Sequence, residues 1–525
     1  MIHAYPGAAV RAAEQPLLEQ GHGAALMRRA AYGLYAAAAR ETVRRRGRLY
    51  GARVVVLAGA GNNGGDALYA GTFLAARGAA VTAVLTASSA HADGLAAFRA
   101  GGGRVLSLAA GPGTGSSTGA GTGAAAEAAV ALCRTADLIL DGVLGTGGRG
   151  GLRGPAAELA RALAAGSGSV SGTGSGTAGP LVIACDLPSG INADTGAAEG
   201  EHFRADLTVT FGAAKTGLLV GPGAVAAGVV ECIDIGLGPM PGPPAVTRLE
   251  TADLAALLPV PGKQDHKYTR GVLGLAAGSA TYPGAAVLAT GAALATGVGM
   301  ARYLGPESVA RLINATHPEA VCSTGTVPQT HVQAWLAGPG AGTDADQRRR
   351  ALDAMASGLP AVIDADAIAY AEPGLGPQVV LTPHAGELTA LLNRLDGSVT
   401  REQVEADPLT HALRAARITG ATVLLKGWAT VTAAPGGEAF SQTDGTPWLA
   451  TAGSGDTLSG ILGALLAADA GSRGARPAGP GHYAALAAAA ASLHGRAGTL
   501  AAGSGPVEPS LLPGQIRSVL ASLGR

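Results

Sequence analysis

The polar residues best suited to chemistry in this 525-residue chain follow short apolar runs, each at the start of a glycine-rich loop. In the first half, Arg53–Leu57 leads into the sequence GAGNNGGD at 59–66, after which a helical pattern begins. Glycines let a phosphate approach the backbone, and the start of a helix offers free N–H groups. The next strand, Val81–Leu85, ends without the acid that holds a ribose diol in NAD dehydrogenases. The loop therefore predicts a phosphate site and disfavours a conventional dehydrogenase.

Two further apolar runs of this half end in aspartate. Asp141 opens the sequence DGVLGTGGRGG at 141–151, and Asp186 opens DLPSG at 186–190. An aspartate at the carboxyl end of a strand, beside a glycine loop, is placed to meet a cation or a substrate hydroxyl. Either aspartate alone would serve equally well as a helix cap. Three such loops at one edge of a sheet favour a binding site.

The clearest motif of the second half is TAGSGD at 451–456, immediately before the apolar helical pattern Thr457–Ala467. Successive glycine-rich N–H groups at a helix start can hold negative charge that develops on a phosphoryl group. Asp456 then follows at a point where it could take a proton from an attacking hydroxyl. The alternative is a plain helix cap, because GSGD is also good capping chemistry.

Two other segments support a nucleotide site in the second half. Lys426 opens KGWAT at 426–430 between two apolar runs, where it could neutralise phosphate, although an isolated lysine there would be an ordinary hairpin residue. Glu387 ends TPHAGE at 382–387 and suits a network of magnesium-bound water and phosphate. His384 in the same segment could equally be structural.

Strands, glycine turns and helical patterns alternate in both halves, which is typical of a parallel sheet with helices on both faces. In such folds ligands bind beyond the carboxyl ends of the strands, where each motif above lies. We therefore predict an α/β protein with two three-layer α/β/α domains. The predicted strands are Arg53–Leu57, Val81–Leu85, Leu138–Leu140, Leu181–Cys185, Leu207–Phe211, Val272–Ala276, Gln333–Ala337, Ala361–Ile363, Gln378–Leu381, Thr422–Leu425 and Ala429–Thr432.

The chain is too long for one ordinary hydrophobic core. A stretch rich in Pro and Gly, Gly236–Gly262, is the best candidate boundary, so we predict domains over 1–240 and 250–525. Two runs, Gly111–Gly123 and Gly166–Gly179, consist almost wholly of Gly, Ser, Thr and Ala. They cannot bury enough apolar surface to order themselves, so we predict that both are surface insertions.

Charge and composition narrow the possible partners. Lys plus Arg (37) equals Asp plus Glu (37), which gives no electrostatic case for a nucleic acid or an anionic membrane. The four cysteines lie far apart and the first residues lack a signal-peptide pattern, so we expect a cytoplasmic protein. Val272–Met300 is uncharged, but its glycines and Pro283 predict a strand, a turn and a buried helix rather than a membrane span. We expect small-molecule substrates and a homo-oligomer.

The first half resembles the NAD(P)H-hydrate epimerases from about Ala4 to Leu237, through GNNGGD, DGVLGTG and CDLPSG. The resemblance implies a Rossmann-like domain in which Asn63, Asp141 and Ser189 bind K⁺ and Asp186 is catalytic, facing the hydrated ring. Ala67 departs from the family, which often has glycine there. The substrate-binding residues implied are Asn62, Asn63, Gly64, Gly65, Asp66, Gly145, Thr146, Gly147, Gly148, Arg149, Gly150, Gly151 and Asp186.

The second half resembles the ribokinase-like superfamily and, more closely, the ADP-dependent NAD(P)H-hydrate dehydratases from about Leu249 to Arg525. The resemblance is carried by His266-Lys267, AAGS at 276–279, PGAA at 283–286, GPG at 338–340, DAD at 364–366, Pro383-His384 with Glu387, KGWAT and GSGD. It implies that Asp456 is catalytic and that Mg²⁺ acts with ADP as co-substrate. The residues implied to contact the hydrated nucleotide are Ala286, Gly340, His384 and Asp456, and those implied to contact ADP are Lys426, Gly427, Trp428, Ala429, Thr430 and Gly455.

Together these resemblances imply a bifunctional repair enzyme. One half would interconvert the R and S hydrates of NADH and NADPH, and the other would dehydrate the S hydrate with ADP, releasing AMP and phosphate. One alternative is a ribokinase-like kinase of a vitamin-precursor alcohol fused to a non-catalytic binding domain. Another treats the first half as a binding scaffold, as in RNA-decapping enhancers that share its fold. The sequence leaves open NADH against NADPH and ADP against ATP.

Overall fold

The computed structural model describes residues 1–108, 120–148, 150–166, 179–474, 476–503 and 505–524. Most of both Gly/Ser-rich runs, and Arg149, lie outside the described residues, so the prediction of surface insertions stays a prediction. The chain divides into two compact units. One comprises His3–Ala245, and the other comprises Val246–Arg525 with Met1–Ile2.

The N-terminal unit is built on a seven-stranded sheet of order β4-β3-β2-β5-β6-β7-β9, in which all neighbours are parallel. The strand order reverses between β2 and β5, as in Rossmann folds, which confirms the predicted Rossmann-like domain. Its strands are β1 (Ile2–Tyr5), β2 (Arg53–Ala58), β3 (Ala80–Leu85), β4 (Arg104–Ser107), β5 (Leu138–Gly142), β6 (Leu181–Cys185), β7 (Leu207–Phe211), β8 (Ala214–Lys215) and β9 (Val229–Ile233), and its helices are α1 (Gly7–Glu19), α2 (Gly23–Arg46), α3 (Asn62–Ala76), α4 (Ala92–Ala100), α5 (Ala120–Thr135), α6 (Gly154–Gly166) and α7 (Gly221–Ala226).

Helices cover both faces of this sheet because successive side chains of a strand point to opposite sides. Val54 and Val56 of β2 belong to a core with α2, α3 and α4. Val55 and Leu57 belong to a second core with α5 and α6. A continuous apolar run such as β2 is therefore buried on both faces, as parallel strands require.

The C-terminal unit contains a sheet of order β13-β12-β11-β14-β15-β16-β17-β18-β19-β10. Neighbours are parallel except at the β17–β18 and β18–β19 hairpins. Its strands are β10 (Val246–Arg248), β11 (Val272–Ala276), β12 (Met300–Leu304), β13 (Val321–Ser323), β14 (Ala334–Ala337), β15 (Ala361–Ile363), β16 (Val379–Leu381), β17 (Thr422–Leu425), β18 (Thr430–Ala433) and β19 (Ala439–Gln442), and its helices are α8 (Thr251–Leu257), α9 (Pro283–Thr296), α10 (Glu307–Thr316), α11 (Ala345–Ala356), α12 (Ala385–Leu395), α13 (Arg401–Ala406), α14 (Pro408–Thr419), α15 (Ser454–Arg473), α16 (His482–Ala502) and α17 (Leu512–Ser522).

The largest core of this unit joins the central strands to α9, α15, α16 and α17. Leu275, Leu336 and Leu424 contribute from the strands and are fully buried. The uncharged segment Val272–Met300 forms β11, a turn and α9, as predicted. Among the described residues, none of the helices has both the length and the apolar character that crossing a bilayer requires.

The contact between β11 and β14 offers a test of this packing. A Cβ at Gly274 would lie 2.2 Å from ring carbon Cζ3 of Trp335, whose side chain is 1% exposed. We expect Gly274→Ala to lower the free energy of unfolding by about 1–3 kcal/mol, because the ring cannot yield without strain. Gly284→Ala in α9 is the matched control, since its Cβ would meet no atom within 4 Å. Urea unfolding measures both, and equal stabilities would contradict this packing.

Candidate functional site

The N-terminal cavity lies where the strand order reverses, between the loops that follow β2 and β5. Its volume is about 560 Å³. Glycine is required where these loops meet, because a Cβ at Gly59 would lie 2.0 Å from the carbonyl oxygen of Val143. The predicted site residues that line the cavity are Asn62, Asn63, Asp66, Gly145, Thr146, Gly147, Gly148 and Asp186. Gly64, Gly65, Gly150 and Gly151 do not line it.

Asp186 is held by more partners than any other predicted residue of this cavity. One carboxylate oxygen accepts hydrogen bonds from Lys215 Nζ at 2.5 Å and from Thr210 Oγ1 at 3.1 Å. The other accepts from the hydroxyl of Thr146 at 2.5 Å and from its backbone N–H at 3.1 Å. Burial by itself would raise the pKa of Asp186, but the charge of Lys215 and these hydrogen bonds outweigh it and lower that pKa.

Sequence reasoning missed Lys215, the residue that pairs with Asp186. Its side chain is 2% exposed and lies on the short strand β8. The sequence did contain a signal, because Lys215 is the one charged residue between Asp206 and Glu231 in the printed sequence. A lysine in so apolar a segment must either reach solvent or find an acid.

Asp66 occupies the opposite electrostatic environment in the same cavity. Its Oδ1 is buried and has no hydrogen-bond partner among the described residues, and the Nδ2 of Asn63 is in the same condition. Burial and the nearby carboxylates of Asp186 and Glu14 raise the pKa of Asp66 well above its usual value. Asp66 therefore favours the protonated form far more strongly than Asp186 does.

Asp141 and Ser189 are brought into direct contact, as expected of neighbouring strand ends. The Ser189 backbone N–H donates to Asp141 at 2.8 Å, and its hydroxyl donates at 2.6 Å. The Ser189 oxygen also accepts from the N–H of Leu144 at 2.8 Å. Burial raises the pKa of Asp141 to about 6 despite these hydrogen bonds. The third predicted ligand, Asn63, has its side chain beside Gly145 in the adjoining loop.

The C-terminal unit has a larger cavity, of about 1450 Å³. Gly340 and Asp456 line it among the predicted residues, together with Glu387. Ala286 does not line it, because its methyl group is fully buried beneath the turn at Gly278. His384 does not line it either. Its Nδ1 accepts from the N–H of Glu387 at 3.2 Å, so His384 caps α12.

Lys426 is buried beside the three acidic groups of this site. Its Nζ donates to Asp364 at 2.9 Å and lies 3.8 Å from Glu387. The hydroxyl of Ser459 donates to the second oxygen of Asp364 at 2.6 Å. Burial by itself would lower the pKa of Lys426, but Asp364, Glu387 and Asp456 together raise it. Lys426 therefore stays cationic. Trp428, in the hairpin loop that follows it, is about half exposed.

The GSGD segment forms the start of α15, as predicted. Gly453 adopts φ +90°, a conformation that favours glycine, and Ser454 begins the helix. A Cβ at Gly455 would lie 3.7 Å from Lys426 Nζ, so the lysine and the helix start face the same space. Burial and Asp364 raise the pKa of Asp456 to about 6. At neutral pH Asp456 is thus mostly ionised and can accept a proton.

His494 on α16 supports this helix start from behind, and sequence reasoning missed it. Its Nε2 lies 3.2 Å from the Ser454 hydroxyl, and burial lowers its pKa to about 4. The unfolded chain takes up a proton below about pH 6.5, whereas the native imidazole does so only near pH 4. Stability contributed by the neutral imidazole is therefore lost as the pH falls through this interval.

We expect the free energy of unfolding to fall by about 2 kcal/mol between pH 7 and pH 5 through His494 alone. His494→Gln keeps a polar group near Ser454 but does not titrate. The variant should lose correspondingly less stability over the same interval, as measured by urea unfolding at both pH values. Identical pH dependences in the two proteins would show that His494 is not buried in the neutral form.

Comparisons with known proteins match both units. Residues 23–217 match the family described as YjeF-related protein N-terminus, and residues 273–519 match the family described as NAD(P)H-hydrate dehydratase. A solved ADP/ATP-dependent NAD(P)H-hydrate dehydratase from Bacillus subtilis, co-crystallised with ATP and Mg²⁺, is 27% identical with a TM-score of 0.46. That similarity covers 53% of this chain and 99% of the solved one.

Relatives resemble either the first half of the chain or most of its length. The NAD(P)H-hydrate epimerase of Clavibacter sepedonicus is 43% identical over 236 residues, 44% of this chain and 90% of the relative. The bifunctional NAD(P)H-hydrate repair enzyme Nnr of Mycobacterium tuberculosis H37Rv is 41% identical over 474 residues, 89% of each chain. The Nnr of Mycobacterium leprae is 41% identical over 535 residues, 100% of each. The chain belongs to the family of bifunctional NAD(P)H-hydrate repair enzymes, with a Rossmann-like and a ribokinase-like domain.

Proposed function

We propose that the two cavities carry out the two reactions of one repair, epimerisation of hydrated NADH and NADPH and ADP-dependent dehydration of the S hydrate. The observation that carries this proposal is a buried carboxylate paired with a lysine in each unit of a chain of this family. We also propose domain limits of 1–240 and 250–525, a cytoplasmic location and a homo-oligomer. Four free cysteines support the location, and light scattering would test the oligomer.

The dehydratase reaction must turn a poor leaving group into a good one. Asp456 takes the proton of the ring hydroxyl while the hydroxyl oxygen attacks the terminal phosphoryl group of ADP, and AMP departs. The N–H groups at Gly453–Gly455 and the Lys426 ammonium stabilise the charge on the phosphoryl oxygens. The C–O bond then breaks and phosphate leaves with the bonding electrons, the neighbouring carbon gives a proton to water, and the ring double bond returns.

Mg²⁺ fits this site through Glu387, whose Oε2 accepts the N–H of His384 at 2.8 Å and whose Oε1 would be left for the ion. Glu387 is 24% exposed at its side chain and lines the cavity, so its carboxylate would hold the ion, directly or through water. The ion would neutralise phosphate charge when bound. Asp364 is engaged by Lys426, Ser459 and the N–H of Ala365, and it positions the lysine.

The rival function is phosphorylation of a small alcohol by the same acid and helix start. The comparisons do not favour it, because both units match repair-enzyme families. The two functions differ in their product. A kinase would accumulate a phosphorylated alcohol, whereas the dehydratase regenerates the reduced cofactor and its absorbance.

We expect Asp456→Asn to lower ADP-dependent dehydration of the S hydrate about 10²-fold or more, because the amide cannot accept the hydroxyl proton. Return of NADH absorbance measures the rate. Asp469→Asn is the matched control, since Asp469 lies on the same helix, about 20 Å away along its axis. Epimerisation should be normal in both variants. Near-normal dehydration in Asp456→Asn would remove this residue from the mechanism.

We propose in addition that Asn63, Asp141 and Ser189 hold K⁺ beside the substrate phosphates. The donors are an amide, one carboxylate and a hydroxyl, and oxygen ligands with little negative charge suit a monovalent ion better than Mg²⁺. The direct contact of Asp141 with Ser189 brings two of the three oxygen ligands together and supports the site. The competing account has Asp141 only capping its own turn, through the N–H of Val143 at 3.3 Å.

We expect epimerisation by the native chain to be faster in potassium than in a bulky organic-cation buffer. Asp141→Ala should slow the reaction and abolish this difference, because it removes the one charged ligand. Under the capping account the variant would lose about 1 kcal/mol of stability and keep its activity. Equal native rates in the two buffers would contradict the cation site.

A further inference from the structure

The ion pair between Lys215 and Asp186 is the most deeply buried charged pair of the N-terminal unit. Lys215 Nζ donates to Asp186 at 2.5 Å, to Thr210 Oγ1 at 3.0 Å and to the Phe211 carbonyl at 3.0 Å, which engages every ammonium proton. Burying two such charges costs several kcal/mol per ion, and apolar residues of similar size would stabilise a fold equally well. A pair of this kind beside a cavity therefore points to chemistry rather than stability.

Asp66 is another carboxyl group of the same cavity, which Glu14 of α1 also lines, and unlike Asp186 it has no lysine partner among the described residues. It lies on α3, whereas Asp186 ends β6, so a ring bound in the cavity meets carboxyl groups from two separate elements. Asp66 lines the cavity, and its buried Oδ1 accepts no hydrogen bond from the described residues that would stabilise the ionised form. When two acids in one site differ so strongly in environment, one is suited to donate a proton and the other to accept one.

We propose that Asp66 and Asp186 act as the acid and the base of hydrate epimerisation, and that Lys215 is a positioning residue that keeps Asp186 ionised. This proposal rests on the epimerase function proposed above. It assigns a chemical role to Asp66 beyond substrate binding, and a role to Lys215, which the motifs did not indicate.

The step balances without an external oxidant or reductant. Asp66 donates its proton to the ring hydroxyl, the C–O bond breaks, and water leaves while the adjacent ring nitrogen shares the positive charge. Another water molecule adds to the opposite face of the same carbon and gives its surplus proton to Asp186. The product is the other epimer, and proton exchange with solvent restores Asp66 to its acid form and Asp186 to its carboxylate.

Labelled water tests this step in the native chain. Because the departing and arriving waters occupy opposite faces, each inversion in ¹⁸O-water must place one solvent oxygen in the hydrate, which mass spectrometry detects. Inversion that retains the original oxygen would overturn the proposal. If the native chain interconverts no epimers above the background of buffer alone, then the proposed function fails, and the acid–base assignment fails with it.

Substitutions test the two acids. Asp66→Asn and Asp186→Asn should each lower epimerisation about 10²-fold while leaving dehydration intact. Because dehydration belongs to the other unit, urea unfolding of each variant, compared with the native chain, shows whether the N-terminal unit is folded. If Asp66→Asn epimerises at nearly the native rate while the native chain is active, the acid assignment is wrong and the epimerase function stands.

The pH profile tests Lys215 separately from a merely structural role. Lys215→Met removes the cation in contact with Asp186, so the acidic limb of kcat/KM should move to higher pH. Glu14→Gln should move the alkaline limb to lower pH, because it removes a negative charge that raises the pKa of Asp66. The other titratable and charged groups that face these acids are Arg11 on α1, Asp141 on β5, Cys185 on β6 and Cys232 on β9.

Two threonine variants test the role of Lys215 even if Lys215→Met does not fold. Thr210→Val removes a hydroxyl that contacts both Lys215 and Asp186, whereas Thr208→Val, on the same strand, removes only a bond to the Ala227 carbonyl. We expect Thr210→Val to shift the acidic limb in the same direction as Lys215→Met, and Thr208→Val to leave it in place. An acidic limb unchanged in both folded Lys215→Met and Thr210→Val would overturn the role of Lys215.

Discussion

A carboxylate can be buried only where a cation or several N–H and O–H donors replace its hydration, and both sites of this protein depend on that constraint. In the N-terminal unit Lys215 and Thr146 hold Asp186. In the C-terminal unit Lys426 and Ser459 hold Asp364. Asp186 itself lines the N-terminal cavity, whereas the Lys426–Asp364 pair lies beside Glu387, which lines the C-terminal one.

The carboxylate of the lysine–carboxylate pair in each unit also raises the pKa of the acid beside it. Among the described residues neither Asp66 nor Asp456 has a direct cationic partner, and burial together with a neighbouring carboxylate raises the pKa of both. The two units match different families, yet each sets a carboxylate paired with a lysine beside an acid whose pKa is raised. Proton transfer in the two reactions would draw on the same electrostatic arrangement.

Close backbone approach is the second constraint, and small residues satisfy it. A Cβ at Gly338 would lie 2.0 Å from the carbonyl oxygen of Asp364, and one at Gly460 would lie 2.3 Å from that of Ala289. The first contact places the loop after β14 against the site, and the second lets α15 pack directly on α9. The glycine content of the chain thus serves the positions at which elements meet near the sites.

Sequence alone determined the elements and motifs whose signals are local. The continuous apolar strands, such as β2 and β17, and the glycine loops after them were predictable because parallel strands are buried on both faces and glycine punctuates their ends. The strands that were missed, β1, β4, β8, β9, β10, β12, β13 and β19, have two to five residues, and several carry a charged residue, such as Arg302 in the middle of β12. The tertiary structure alone decided the pairings across the chain. Lys215 meets Asp186 over 29 residues, His494 meets Ser454 over 40, and Lys426 meets Asp364 over 62. No periodic pattern links residues so far apart, since the order of strands in the sheet and the packing of helices such as α15 and α16 bring them together.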